Sequence, residues 1–266
     1  MRTIESITQL IRAIDDDLSK WGREIKPWFR GESGDQPPLC PKIANFSANE
    51  ENYLLQSFRR QAGALANSPP REGHTDMWLF KAQHYGVPTR LLDWTEGALL
   101  ALYFAINRGN QNPRMYMLNP HHINELASGQ ELDDYEYPLS WVELGRLYVA
   151  LAWEHRDLAK HDINPGQVAQ WDLDIPLAFP ATYQDQRMIA QRSCFTIHGT
   201  ALKPFADIFQ SKGIDFAPCL VEYEIDFKCR EELLRELSIL GISAATIFPD
   251  LDHLSQDLIS DISRKK

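Results

Sequence analysis

Three short stretches concentrate the residue types that do chemistry. Trp28-Phe29-Arg30-Gly31-Glu32 sets an arginine and an acid beside two aromatics. His84-Tyr85-Gly86-Val87-Pro88-Thr89-Arg90-Leu91-Leu92-Asp93-Trp94-Thr95 gathers a histidine, an arginine, an aspartate, a tyrosine and two threonines in twelve positions. Arg187-Met188-Ile189-Ala190-Gln191-Arg192-Ser193-Cys194-Phe195 adds two arginines, a glutamine and a serine. An arginine fork binds phosphate or carboxylate through two parallel N–H groups. A histidine serves as general base, donor or ligand. Arg30, Arg90, Arg187 and Arg192 all fall in these stretches, while acids spread along the rest of a chain of net charge −10. That distribution points to a local basic pocket for a nucleotide rather than to a basic surface.

Each candidate also has a plainer reading. Arg30 can form a structural ion pair, for instance with Asp93. Arg90 and Asp93 lie three apart around a turn. Either they form an internal salt bridge that fixes the loop, or Arg90 meets a ligand phosphate and Asp93 orients it. His84 reads equally as a partly buried, satisfied histidine. Trp94 reads as core rather than as a stacking platform. Arg187 and Gln191, four apart, share a helix face. Cys194 sits in an apolar strand pattern, which favours a buried thiol over a nucleophile.

Other chemistries lack their signatures. The four cysteines have no metal-ligand spacing, and the adjacent His121 and His122 face different ways on a helix, so no metal is expected. No Walker glycine loop, dinucleotide glycine fingerprint or Gly-x-Ser-x-Gly elbow is present.

The elements that must position these residues follow from periodicity. Ile4, Ile7, Leu10, Ile11, Ile14 and Leu18 make a helical stripe over Thr3 to Leu18, ended by Trp21-Gly22. Pro27 to Gly31 reads as a short strand closed by glycine, with Leu39 to Ile43 a candidate continuation. Ser47 and Glu50 fit a capping box opening a helix through Leu65. Asp76 to His84 is a further helix. Gly86 and Pro88 break it, so His84 to Arg90 is a tight connection. Asp93 or Thr95 can cap the apolar helix from Ala98 to about Asn107.

Arg114 to Leu118 reads as a strand, and Asn119-Pro120 opens a short helix through Leu126. Gly129 to Tyr137 is acidic and expected to be exposed, and Ser140 to Ala159 is mostly helical. Ile175 to Tyr183 reads as a strand entering a turn and Asp185 to Gln191 as a short helix. Cys194 to His198 reads as a strand with alternating faces, and Leu220 to Ile225 as one with a wet face. Helices are expected over Cys229 to Leu240 and Ala244 to Ile262. Strands scattered among helices without a βαβ rhythm indicate an α+β fold.

With 266 residues, 44% hydrophobic and 24% charged, the chain suits a globular protein with a substantial core. No apolar run approaches the roughly 20 residues that span a bilayer, so no membrane partner is expected. Met1 to Asp17 is amphipathic and acidic, unlike a secretory signal. Unpaired-looking cysteines suit the reducing cytoplasm. The net charge argues against nonspecific nucleic-acid binding, which needs many cationic phosphate contacts.

Together the first two stretches resemble the FRG domain family, named for Phe-Arg-Gly, and Arg187 to Phe195 is similar to a third family segment. The family often carries glycine where this chain has Ser193. The resemblance covers most of the chain, from about Trp28 to Leu251. It implies a single FRG-type domain over 1–266: an N-terminal helix (1–24), the FRG core (25–250) and a C-terminal helix and tail (251–266). FRG-type domains occur in bacterial and phage genomes, which implies a role in toxin action or phage defence.

The third segment is also similar to that of some ADP-ribosyltransferases, where an arginine, a glutamine and then a glutamate precede an apolar strand. Here Ser193 or Arg192 stands in the glutamate's place. The implied fold is a central mixed sheet surrounded by helices, similar to the split sheet of ADP-ribosyltransferases. The implied activity is ADP-ribosyl transfer or NAD cleavage, with NAD as cofactor or substrate and an unidentified macromolecular acceptor. Catalytic roles fall to Arg30, His84, Asp93 and Gln191, and cofactor contacts to Arg30, Tyr85, Thr89, Arg90 and Arg187. In such a site Arg30 takes the pyrophosphate, Thr89 or Tyr85 the nicotinamide amide and Trp94 the stacking. Asp93 or Glu32 faces the ribose cation. The alternative is a binding module that holds a nucleotide or protein surface without turnover.

Overall fold

The computed structural model describes residues 2–22, 24–34, 38–65, 69–70, 75–108, 113–129, 171–181 and 183–263. Ser140 to Ala159, and the acidic segment after Gly129, lie outside the described residues. The fold is α+β, as expected, with seven strands in one mixed sheet among the described residues. In chain order the strands are β1 (Arg2–Ile4), β2 (Trp28–Glu32), β3 (Leu91–Thr95), β4 (Arg114–Leu118), β5 (Leu177–Pro180), β6 (Ser193–Ile197) and β7 (Leu220–Ile225). Across the sheet the order is β1-β7-β4-β2-β3-β6-β5. Only the β1–β7 pair is parallel.

The first helix, α1 (Ile7–Trp21), starts later than expected. The Ser6 side chain accepts the Gln9 N–H and caps it. Ile4 instead ends β1 and is buried against β7. The step of three from Ile4 to Ile7 mimicked a helical stripe across that boundary. Leu39 to Ile43 does not extend β2; Lys42–Asn45 is a 3-10 turn. The helix α2 (Ala48–Leu65) begins at the expected capping box, in which Glu50 accepts the Ser47 N–H at 2.8 Å. It is followed by α3 (Thr75–His84).

Leu91 to Thr95, given no element in the sequence reading, is a central strand. Asp93 and Thr95 therefore cannot cap the next helix, α4 (Ala98–Ile106), whose N-cap is Gly97. Thr95 Oγ1 accepts the Gly97 N–H at 3.1 Å instead. Beyond β4 lie α5 (Pro120–Ser128), then α6 (Gln186–Ala190), α7 (Phe205–Lys212) and α8 (Arg230–Ile239). β6 does not alternate: all five residues are buried, because strands flank it and core covers both faces. The last expected helix is two, α9 (Ala244–Ile247) and α10 (Leu251–Ser263), broken around Pro249.

Strand alternation divides the core. Trp28, Tyr116 and Leu118 join one cluster with Leu79 and Phe195. Phe29, Met115, Met117 and Tyr223 join the other, with Ala101 and Ala105 of α4. Helix α4 crosses β2 closely because Gly31 has no side chain. A Cβ there would overlap the Ala101 carbonyl oxygen and lie 2.5 Å from the Ala105 nitrogen. Ala101 and Ala105, four apart, present the small face that permits this approach. Gly31→Ala is expected to destabilise the fold by about 1–3 kcal/mol or more through overpacking. Gly63→Ala in α2, where nothing lies within 4 Å of the added carbon, is expected to be neutral or to stabilise by up to about 1 kcal/mol. Thermal unfolding of the two variants checks the contrast.

Candidate functional site

The sheet has one thin seam. β2 and β4 share five register pairs, but β2 and β3 share only Phe29 opposite Thr95. Past that pair the two strands are joined by a side chain. Arg30 Nη1 donates to the Asp93 carbonyl oxygen at 2.7 Å, and Arg30 Nε donates to Glu32 Oε1 at 2.7 Å. Glu32 also accepts the Leu39 N–H at 3.3 Å. The ion pair of Arg30 is thus with Glu32, and its link to Asp93 is through backbone. The expected split of the sheet is reduced to this seam within one continuous sheet.

A cavity of about 620 Å³ opens at the seam, and residues of all three stretches line it. Arg30 and Glu32 come from β2, His84 from the end of α3, Asp93 from β3, and Arg187 and Gln191 from α6 and its cap. All four expected catalytic residues therefore share one space. Asp93 is exposed, and its Oδ2 accepts from Gln83 Nε2 at 2.7 Å. Gln83 Oε1 in turn accepts the Thr89 hydroxyl at 2.6 Å, and Thr89 Oγ1 accepts the Leu91 N–H at 3.1 Å. This chain of bonds ties the acid to the start of its own strand.

Tyr85, Thr89 and Arg90 are not part of the cavity wall. Tyr85 is exposed and sits edge-on to His84, with ring centroids 4.9 Å apart. Thr89 is buried in the relay just described. Arg90 is buried, with Nε and Nη2 donating to Glu51 at 2.5 and 2.7 Å and Nη1 donating to the Gly199 carbonyl. Its partner is Glu51, not Asp93. Strand geometry explains the difference. Successive side chains alternate faces, so Arg90 points away from Asp93, whereas a turn would have brought them together. Trp94 is buried and its Nε1 donates to Thr196 Oγ1 at 2.9 Å, which makes it a core residue with one edge on the cavity.

In the third stretch, Arg187 carries no carboxylate partner among the described residues. Its guanidinium carbon lies 4.8 Å from the Phe248 ring centre. Gln191 Nε2 donates to the Ile247 carbonyl at 3.4 Å. Arg192, with φ of +46°, turns outward to Glu96 at 3.2 Å. Ser193 stays on the cavity wall opposite Thr95. Of the two residues where the resemblance implies a glutamate, Ser193 lines the cavity and Arg192 faces Glu96. Cys194 is fully buried, and burial raises its pKa, so it is no nucleophile.

The family assignment rests on a separate comparison. Residues 26–114 match the family model of the FRG domain. This chain carries an FRG domain. No curated protein and no solved structure matches the chain. The matched span of the FRG domain holds the first two stretches and ends at the start of β4. The Arg187 segment lies outside that span, yet it completes the same cavity.

Sequence reasoning missed several contributors to the cavity, among them Lys42, Gln83, Arg108, Phe248 and His253. Phe248 and His253 arrive from the α9–α10 junction, with ring centroids 4.4 Å apart and nearly parallel. Nothing local marks a proline-broken helix as a site wall. His84 Nδ1 lies 3.3 Å from Asp185 Oδ2. Burial lowers the His84 pKa from its ordinary value of 6.5, against the raising effect of Asp185. Four cationic side chains (Arg30, Lys42, Arg108, Arg187) and two carboxylates (Glu32, Asp93) line the cavity. The wall is therefore net positive in a chain of charge −10.

The Arg90–Glu51 pair is expected to be purely architectural. Glu51→Ala should cost about 3–5 kcal/mol by leaving a buried guanidinium unpaired, and Glu51→Leu with Arg90→Met should recover most of it. Urea unfolding of the three proteins checks this.

Proposed function

We propose that the FRG-domain cavity binds NAD or a closely related nucleotide and acts at its nicotinamide–ribose bond, by cleavage or by ADP-ribosyl transfer. The observation that carries the reading is the meeting of Arg187, an arginine with no carboxylate partner among the described residues, and an exposed acid, Asp93, in one cavity built from three separated stretches. Breaking the bond builds positive charge on the ribose. A fixed carboxylate stabilises that charge best where it is already oriented, and Gln83 orients Asp93. Glu32 is less suited, since Arg30 and the Leu39 N–H occupy it.

Arg187 supplies a fork for the pyrophosphate, with Lys42 and Arg108 adding positive potential. The volume falls within the usual range for small-molecule sites. The reading sets the reaction in the cytoplasm, where the four free cysteines stay reduced, and in toxin action or phage defence. The acceptor is a macromolecule or water. A second reading, binding without turnover, draws support from Arg30 and Glu32 being committed to each other.

Incubation of the purified protein with NAD, followed by chromatography for nicotinamide, tests the reading. Wild type is expected to release nicotinamide. Asp93→Asn should lower the rate about 100-fold, and Arg187→Ala should weaken NAD binding about tenfold through loss of a charged hydrogen bond. Arg30→Ala is a poor control, because Arg30 joins β2 to β3. A raised melting temperature with NAD left intact would establish the binding module, and neither effect would overturn both readings.

A further inference from the structure

His84 stands on the cavity wall with Asp185 beside it, and the reading above gives neither a part in holding the nucleotide. His84 lines the cavity and its Nδ1 lies 3.3 Å from Asp185 Oδ2. Asp185 is fixed from its other oxygen, because Oδ1 accepts the Met188 N–H at 2.9 Å as the N-cap of α6. A neutral imidazole beside a carboxylate keeps its proton on the nitrogen that faces it. The lone pair is then left on Nε2.

We infer that His84 is the general base for the second substrate, an oxygen nucleophile, and that Asp185 is its positioning residue. The inference rests on the NAD reading above and names the acceptor class of that same site: water or a hydroxyl group. In the step, the bond between the nicotinamide nitrogen and ribose C1′ breaks, and its electron pair leaves with neutral nicotinamide. The bond that forms joins the acceptor oxygen to C1′. The oxygen's proton passes to His84 Nε2. No oxidant or further reactant is needed.

The surroundings suit a base at neutral pH. Burial lowers the His84 pKa from 6.5, Asp185 opposes that, and Arg187 and Lys81 reinforce it, with Asp93 a weaker opposing charge. The ring is therefore neutral at pH 7 and ready to accept a proton. Tyr85, edge-on to the ring, limits its rotation.

The test is the pH dependence of kcat/KM for nicotinamide release, which reports groups of the free enzyme. Wild type is expected to lose activity on acidification along a limb centred below 6.5. His84→Gln should lower the rate about 100-fold and remove that limb. Asp185→Asn still caps α6, since asparagine caps as well as aspartate, but it removes the charge that raises the His84 pKa. Its limb should move to lower pH. Azide, a nucleophile with no proton to lose, should restore turnover to His84→Gln.

A limb unmoved in both variants, or no rescue by azide, overturns the role of His84 while leaving NAD cleavage standing. Wild type that releases no nicotinamide at any pH overturns the NAD reading and the base with it.

Discussion

Arg30 holds together two strands that share a single ladder position. A seven-stranded sheet that nearly parts between β2 and β3 needs a bond across the gap, and the guanidinium supplies it through the Asp93 carbonyl. The same geometry makes the cavity. Where two neighbouring strands diverge, their side chains no longer cover each other, and the space is lined by whatever polar groups the strands carry. The bond that closes the sheet and the wall of the cavity therefore use one residue. Its neighbours divide the labour: Phe29 enters the core and Gly31 lets α4 lie against the backbone. The three letters of the motif correspond to three distinct physical demands.

Much of the secondary structure was legible because its signals are local. The Ser47 cap, the Leu220 to Ile225 strand and the short helix before β6 follow from spacing and capping chemistry. β1 was not legible, since Ile4 continues a helical stripe in sequence although it pairs with β7 more than two hundred residues away. β3 was not legible either. Its charged and hydroxyl residues read as loop chemistry, and only the partner strands reveal why it is extended.

The site was legible as a set of residues and only partly as a set of roles. Arg30, His84, Asp93, Gln191 and Arg187 meet as expected. The partners of the arginines followed only in part from proximity in sequence: Arg30 pairs with Glu32, two positions on. Arg90 takes Glu51, 39 positions away, and Arg30 takes a backbone carbonyl. Phe248 and His253 come from a junction more than fifty residues beyond the third stretch, whose polar residues read as an ordinary helix start. A side chain's residue type says what it can bind, while the fold decides whether that capacity is already used.

The cavity wall also has a consequence for how the protein reaches its working form. The span that matches the FRG domain ends at the start of β4. It leaves out β6, the partner of β3, and β7, the partner of β4. A nascent chain that stops there has unpaired edges on both sides of the seam and lacks the Arg187 wall. The pocket thus depends on contacts between segments far apart in the chain. Contacts of that kind are slow to close, so the cavity is complete only with the completed sheet.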